Sequence, residues 1–325
     1  MKKLLCLLVL VTFSLIFYVN NKDKETIVIY TAMEQFRNDE LSEQLNERFP
    51  SSNILVKYVS TGKLAAKILV EGRNSEADIL VAVDTAYLEK VKDNLATINE
   101  NNYIYLDGLT IKENSYKYLT WERYGGAFII NTELFQKYGL EKPKSYNDLL
   151  DPQYKGLIAM PNPKTSGTGY LFYKSLVNKY GLQETLDYFN ELNKNIKQYT
   201  ESGSTPLKLL SQNEIALAIT LTYSAVSDIN KGYPYEIIFP DIGSPYSLSG
   251  TAMIKGRERD KEIVNIFEYI VNDFFYYDKQ FFSPEKIIEN QENLVNGYPL
   301  NIEYSDMTGI NDIVEKERLL DLWMY

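Results

Sequence analysis

Three short stretches combine serine, threonine and glycine where a strand or loop gives way to a helical pattern: Ser60-Thr61-Gly62, Ser166-Gly167-Thr168-Gly169 and Ser202-Gly203-Ser204-Thr205-Pro206. At a helix start the first backbone N–H groups lack intrahelical acceptors, and the positive end of the helix dipole faces outward. Glycine lets a ligand approach that backbone closely, short hydroxyls add neutral donors, and Pro206 suits a first helical position. Such a cup holds a phosphate or phosphonate without needing an arginine. The competing role for each Ser or Thr is the helix N-cap, worth about 1 kcal/mol to its helix. A single junction would be read as a cap; three with glycine in one chain favour an anion site.

Other candidate contacts are single residues. Glu34 follows the first strand, where it can accept a hydrogen bond from an ammonium or hydroxyl of a ligand, although Thr31-Ala32-Met33-Glu34 also fits a capping box. Asp84 ends the third strand, where a ligand contact and an N-cap are equally natural. Tyr223 follows a strand end and can cover a ligand, but it is one of 27 tyrosines, most of which must simply pack. Trp121 and Tyr124 read as packing near a crossing between lobes, and Tyr276-Tyr277 as part of an amphipathic stretch.

The chain contains no histidine, which excludes Ser-His-Asp and Cys-His catalysis and His-ligated zinc. Its one cysteine, Cys6, lies in the first apolar run, so neither an intramolecular disulfide nor a cysteine metal cluster can form. No nucleophile has a visible base partner, and lone carboxylates are better explained as caps or ligand contacts, so no catalytic residue, resident metal or cofactor is expected. With 34 Lys and Arg against 44 Asp and Glu, the formal net charge is −10. That balance, without a long basic run, argues against a nucleic-acid partner.

The elements that must position these residues alternate in kind. Ile27-Val28-Ile29-Tyr30, Ile54 to Val59 and Ile79 to Val83 read as strands. Phe36, Leu41, Leu45 and Phe49 mark one helix, ended by Pro50, and Leu64, Ala65, Ile68 and Leu69 mark the next. Gly125 to Ile130 is expected to cross between lobes. A second α/β set follows, with strands at Leu157 to Met160 and Ile215 to Leu221 around a helical stretch from Tyr170 to Tyr188. Tyr235 to Phe239 is a further strand, and Thr251 to Ile254 is read as returning the chain to the first lobe. Strands alternating with helices imply parallel βαβ units, whose ligands sit beyond the carboxyl ends of the strands. The Ser/Thr/Gly stretches are read as strand-to-helix or loop-to-helix junctions of this kind.

The amino terminus reads as an export segment. Lys2 and Lys3 precede an apolar stretch from Leu4 to Val19, and Phe17-Tyr18-Val19-Asn20 offers no small residues for cleavage, so an uncleaved anchor stands beside a signal peptide. Lipidation at Cys6 fits the local pattern poorly.

From about residue 26 to 300 the chain resembles extracytoplasmic solute-binding proteins of ABC importers, in the branch of ferric-iron, 2-aminoethylphosphonate and hexose-phosphate binders. The resemblance is carried by Tyr30-Thr31-Ala32-Met33-Glu34, Leu149-Leu150-Asp151-Pro152-Gln153-Tyr154-Lys155-Gly156, Met160-Pro161-Asn162-Pro163 before Ser166-Gly167-Thr168-Gly169, and Gln198-Tyr199-Thr200 before Ser202-Gly203-Ser204. It implies a type 2 periplasmic-binding-protein fold: α/β, two lobes, each a mixed sheet flanked by helices, with the ligand in the cleft between them. It also implies a monomer that closes on an anionic small molecule and presents it to a permease. The expected division is 1–23 as signal or anchor, 24–122 with 245–285 as one lobe, and 123–244 with 286–325 as the other. Ferric binders of the branch carry adjacent tyrosines, often with a His or acidic residue, where this chain has Thr222-Tyr223-Ser224, which places iron second. Phosphonate-like relatives tend to carry an acidic residue in the return segment, where this chain has Tyr246-Ser247-Leu248-Ser249-Gly250. The expected function is non-enzymatic capture of a phosphonate or phosphate ester. Ser60, Thr61, Gly62, Ser166, Gly167, Thr168, Ser202, Gly203 and Ser204 would hold the phosphoryl group, and Glu34, Asp84 and Tyr223 the remainder. Ferric-iron binding and a sensor docked on a membrane kinase are the alternatives.

Overall fold

The computed structural model describes residues 26–98, 116–283 and 285–325. The expected export segment, with Cys6, lies outside these residues. Among the described residues no helix is long and apolar enough to cross a membrane.

Among the described residues nine strands form one continuous mixed sheet: β1 (Ile27–Thr31), β2 (Ile54–Tyr58), β3 (Ile79–Asp84), β4 (Leu119–Asn131), β5 (Ile158–Pro161), β6 (Ile196–Thr200), β7 (Leu217–Leu221), β8 (Tyr235–Ile238) and β9 (Tyr246–Met253). Their order is β2-β1-β3-β9-β4-β7-β5-β6, with β8 also paired to β4. The apolar runs that make β1 and β3 are fully buried, as strands covered on both faces must be, whereas β2 at the edge is largely exposed. β1 pairs in parallel with β2 and β3, and β5 in parallel with β6 and β7. Each set is the product of βαβ crossovers. The antiparallel strands β4 and β9 join the two sets.

β4 changes partner along its length. Leu119 to Gly125 pair with β9, and Gly126 onward pairs with β7 and β8. Both glycines at the hand-over are required by close approach. A Cβ on Gly125 would stand 2.9 Å from Ser244 Oγ, and one on Gly126 2.4 Å from Phe172 Cζ. Each half of the sheet has apolar clusters on both faces: Ile29, Val81, Phe267 and Phe274 on one side of the first half and Tyr30, Leu64, Ile68 and Leu88 on the other. In the second half Phe128, Tyr173 and Trp323 face away from Ile129, Leu210 and Ala218.

Two elements differ from their sequence-based expectation. The stretch from Tyr170 to Tyr188 is two helices, Gly167–Tyr180 and Leu182–Leu192, divided at Gly181, whose φ of 86° belongs to the left-handed side that glycine adopts without strain. The first helix, Gln35–Arg48, buries Arg37, Leu41 and Leu45 instead of centring on Phe36, so a cation occupies its inward face.

Candidate functional site

A cavity of about 260 Å³ opens at the carboxyl ends of the strands, between the two halves of the sheet. Its wall gathers all three Ser/Thr/Gly junctions. Ser60 and Thr61 follow β2, Ser166, Gly167 and Thr168 follow β5, and Ser202, Gly203 and Ser204 follow β6. The last two junctions abut: a Cβ on Gly203 would lie 2.3 Å from Thr168 Oγ1. Thr220 at the neighbouring strand donates to the Gly203 carbonyl at 2.6 Å, and Thr200 donates to the Ser202 carbonyl at 3.0 Å, which fixes the path of this loop.

The capping role that competes for these hydroxyls is not taken up. Ser60, Ser166 and Ser204 occupy the N-cap positions of the Thr61–Glu71, Gly167–Tyr180 and Thr205–Ser211 helices, and none makes a side-chain cap hydrogen bond. Three polar N-cap residues away from the cavity behave otherwise. Asn131, Asp260 and Asp312 each accept from two backbone N–H groups of the helix that follows. Ser166 is buried and extended, so its helix start carries a hydroxyl and unpaired N–H groups into the cavity wall.

Glu34 and Tyr223 also line the cavity. Glu34 holds the N-cap position of its helix without capping it, which removes the capping-box reading. Its carboxylate instead lies 3.3 Å from Arg37 Nη1. Burial raises the Glu34 carboxyl above its ordinary range, against the opposing pull of Arg37. Burial and the Glu34 charge hold the Tyr223 phenol well above its ordinary value, so it stays protonated.

Asp84 and Gly62 do not line the cavity. Asp84 is buried, and its oxygens are already engaged: it accepts from Ala86 N–H at 3.0 Å, from Ser247 Oγ at 3.0 Å and from Tyr124 OH at 3.3 Å, with Lys316 Nζ at 3.4 Å. The capping alternative is the one realised, and this carboxylate cannot also read a ligand without breaking that network. Gly62 packs toward Tyr87, whose hydroxyl lies 3.5 Å from where a Cβ would be.

Sequence reasoning missed Arg37. Its guanidinium is buried at the cavity floor, donates to both oxygens of Asp278 at 2.7 Å and contacts Glu122 Oε1 at 2.8 Å. Glu122 is completed by Ser249 at 2.7 Å, Ser283 at 2.8 Å and Lys279 at 3.5 Å. Burial alone would raise the Glu122 carboxyl, but Arg37 and Lys279 outweigh it and bring it down to about 2. The pattern Arg37, Leu41, Leu45 carried the signal, since a lone cation on a helix's apolar face implies buried partners. Those partners lie 85 and 241 residues away. Tyr124, Tyr58 and Ala82 complete this side of the wall. Ala82 sits at φ 55° in a register shift between β3 and β9, a strained conformation for a residue with a Cβ.

The model of bacterial extracellular solute-binding proteins matches residues 74–276. The chain belongs to that family. Over 131 residues it is 34% identical to an uncharacterized protein of Haemophilus influenzae, a match covering 40% of this chain and 38% of that protein. Among solved structures it is similar to the periplasmic binding protein P5PA, with 22% identity and a TM-score of 0.80 over 92% of this chain and 98% of that one. It is similar also to AfuA of Actinobacillus pleuropneumoniae with exogenous fructose-6-phosphate bound, at 22% identity and a TM-score of 0.79 over 92% and 97% of the two chains. The apo ferric ion-binding protein A of Pasteurella haemolytica follows at 15% identity and 0.72, over 92% and 96%. At these identities the likeness establishes the fold, which is the two-lobed type 2 periplasmic binding protein. The family is one of extracellular solute-binding proteins, so this chain is a non-enzymatic binder of a small solute outside the cytoplasm.

Proposed function

We propose that this solute-binding protein captures a small anionic compound bearing a phosphonate or phosphate-ester group, of the 2-aminoethylphosphonate or sugar-phosphate type. Ser60, Thr61, Ser166, Gly167, Thr168, Ser202, Gly203 and Ser204 hold the phosphoryl oxygens; Glu34 and Tyr223 contact the remainder. The observation that carries this reading is that three helix-start serines on one cavity wall leave their helices without a side-chain cap, whereas the polar N-cap residues Asn131, Asp260 and Asp312 all cap theirs. A bound oxyanion supplies the missing acceptors. The sugar phosphate in the AfuA structure is consistent with it.

The lobes of this proposal are 24–122 with 245–285 and 123–244 with 286–325, hinged where β4 changes partner. Ser60 and Thr61 belong to the first, and the other two junctions to the second, so ligand favours the closed state through contacts that only closure completes. The protein acts as a monomer, exported by the segment 1–23 as signal or anchor. Iron fits the cavity less well, because among the described residues no three His, Cys, Asp or Glu side chains gather into a metal-binding group. The Tyr223 hydroxyl lies 3.5 Å from the Arg37 guanidinium, a fixed cation that a ferric ion would have to sit beside.

A thermal-shift screen with 2-aminoethylphosphonate, hexose phosphates, glycerol phosphates, inorganic phosphate and ferric citrate tests the reading. A ligand at 100 times its dissociation constant adds about 2.7 kcal/mol, enough to raise the midpoint by roughly 2–5 °C. A shift with an organophosphorus compound is expected; a shift with ferric citrate alone would overturn the proposal.

A further inference from the structure

The charges on the cavity wall do not balance, although the hydroxyl junctions suit an anion. Among the described residues Arg37 is the only cationic side chain on the wall, and it is committed to Asp278 and Glu122. Lys279, behind it, is committed to Glu122 and Ser283. These two cations offset Asp278 and Glu122 and leave Glu34 in surplus. Its side chain is 15% exposed, facing the cavity beside Tyr58 and Tyr223. Glu201, exposed at the same wall, adds a second negative charge. A dianion with a neutral body would meet repulsion here and no compensating cation.

We infer that the ligand is a zwitterion: the hydroxyl junctions take its phosphoryl group, and Glu34 is the specificity-determining residue that accepts from a protonated nitrogen on its organic part. This inference rests on the phosphoryl reading above and divides that class, favouring aminoalkyl phosphonates and phosphates over sugar phosphates. A protonated nitrogen completes the charge balance that the wall lacks, and Tyr58, which lines the cavity with Glu34, is an aromatic side chain of the kind that favours a nearby cation. Arg37 screens Glu34 only partly, since its closer contacts are to Asp278 and Glu122.

The test is calorimetric titration of the purified full-length protein with two matched pairs, 2-aminoethylphosphonate against ethylphosphonate and phosphoethanolamine against ethyl phosphate, with glucose 6-phosphate as the neutral-bodied comparison. The amino member of a pair is expected to bind at least about tenfold more tightly, and Glu34→Gln to shrink that ratio to about two or less while ethylphosphonate binds the variant as well as before or better. Glu34→Gln keeps Arg37 paired with Asp278 and Glu122, and its melting curve, taken alongside, shows the fold retained. Equal binding of both members, or a preference unchanged in Glu34→Gln, would overturn the charge assignment alone. If no phosphorus compound bound at all, the phosphoryl reading would fall with it.

Discussion

The two sides of the cavity meet polar groups in opposite ways. Where β1 and β4 contribute, charge faces charge: Arg37 is held by Asp278, Glu122 and Glu34 within 3.3 Å, with Lys279 behind. Where β5 and β6 end, the wall is built of hydroxyls and backbone N–H groups around Thr168 and Gly203. The ionic side is bound to itself and acts on the stability of the fold. The hydroxyl side leaves donors for an incoming group. One side therefore reports through stability and the other through affinity, and substitutions should separate the two.

The largest effect should follow from opening the ionic side. Arg37→Met strips Asp278 and Glu122 of their main partner and is expected to cost about 3–5 kcal/mol, read as a lower urea midpoint with an unchanged slope. Unaltered stability would mean that the cluster is not a unit. Acid should attack the same side. Glu122 is brought from an ordinary 4.5 down to about 2 in the folded protein, so its contribution is complete above about pH 4.5 and lost as pH falls from there toward 2. That contribution is on the order of 3 kcal/mol, and Glu122→Gln should flatten the acid limb of a stability-against-pH curve.

On the hydroxyl side a smaller change should act on binding. Gly203→Ala brings a Cβ to 2.3 Å from Thr168 Oγ1 and forces that hydroxyl to turn. Affinity for the best phosphorus ligand should fall about tenfold, the value of one hydrogen bond to a charged acceptor, with a much smaller change in melting temperature. The smallest expected effect is a gain. Because burial raises the Glu34 carboxyl, its charge does not stabilise the ligand-free fold. Glu34→Gln should leave the ligand-free melting temperature unchanged or slightly higher, and a large drop would contradict its place as the surplus charge.

The contrast between the two sides also explains what the sequence could reveal. Ser60-Thr61, Ser166-Gly167-Thr168 and Ser202-Gly203-Ser204 are contiguous residues at strand ends, so local pattern and the geometry of α/β sheets were enough to bring them to one place. Glu34 and Tyr223 follow strands β1 and β7 for the same reason. Arg37 and Asp278 are paired only by the tertiary fold, across 241 residues, and Asp278 sits in a stretch of sequence dominated by aromatic side chains. Asp84 stands at a strand end as well, yet Ser247, Tyr124 and Lys316 converge on it from three distant segments, and local position could not foretell that competition. The division of the Tyr170 to Tyr188 stretch at Gly181 was legible in the glycine itself.

The most direct test of the central claim is calorimetric titration of wild type and of the double variant Thr168→Ala, Ser204→Ala with the tightest-binding phosphorus compound. Loss of two hydrogen bonds to a charged group should weaken binding about 100-fold or more while the melting temperature of the ligand-free protein stays within a few degrees. Unchanged affinity in a folded double variant would show that these hydroxyls do not hold the ligand.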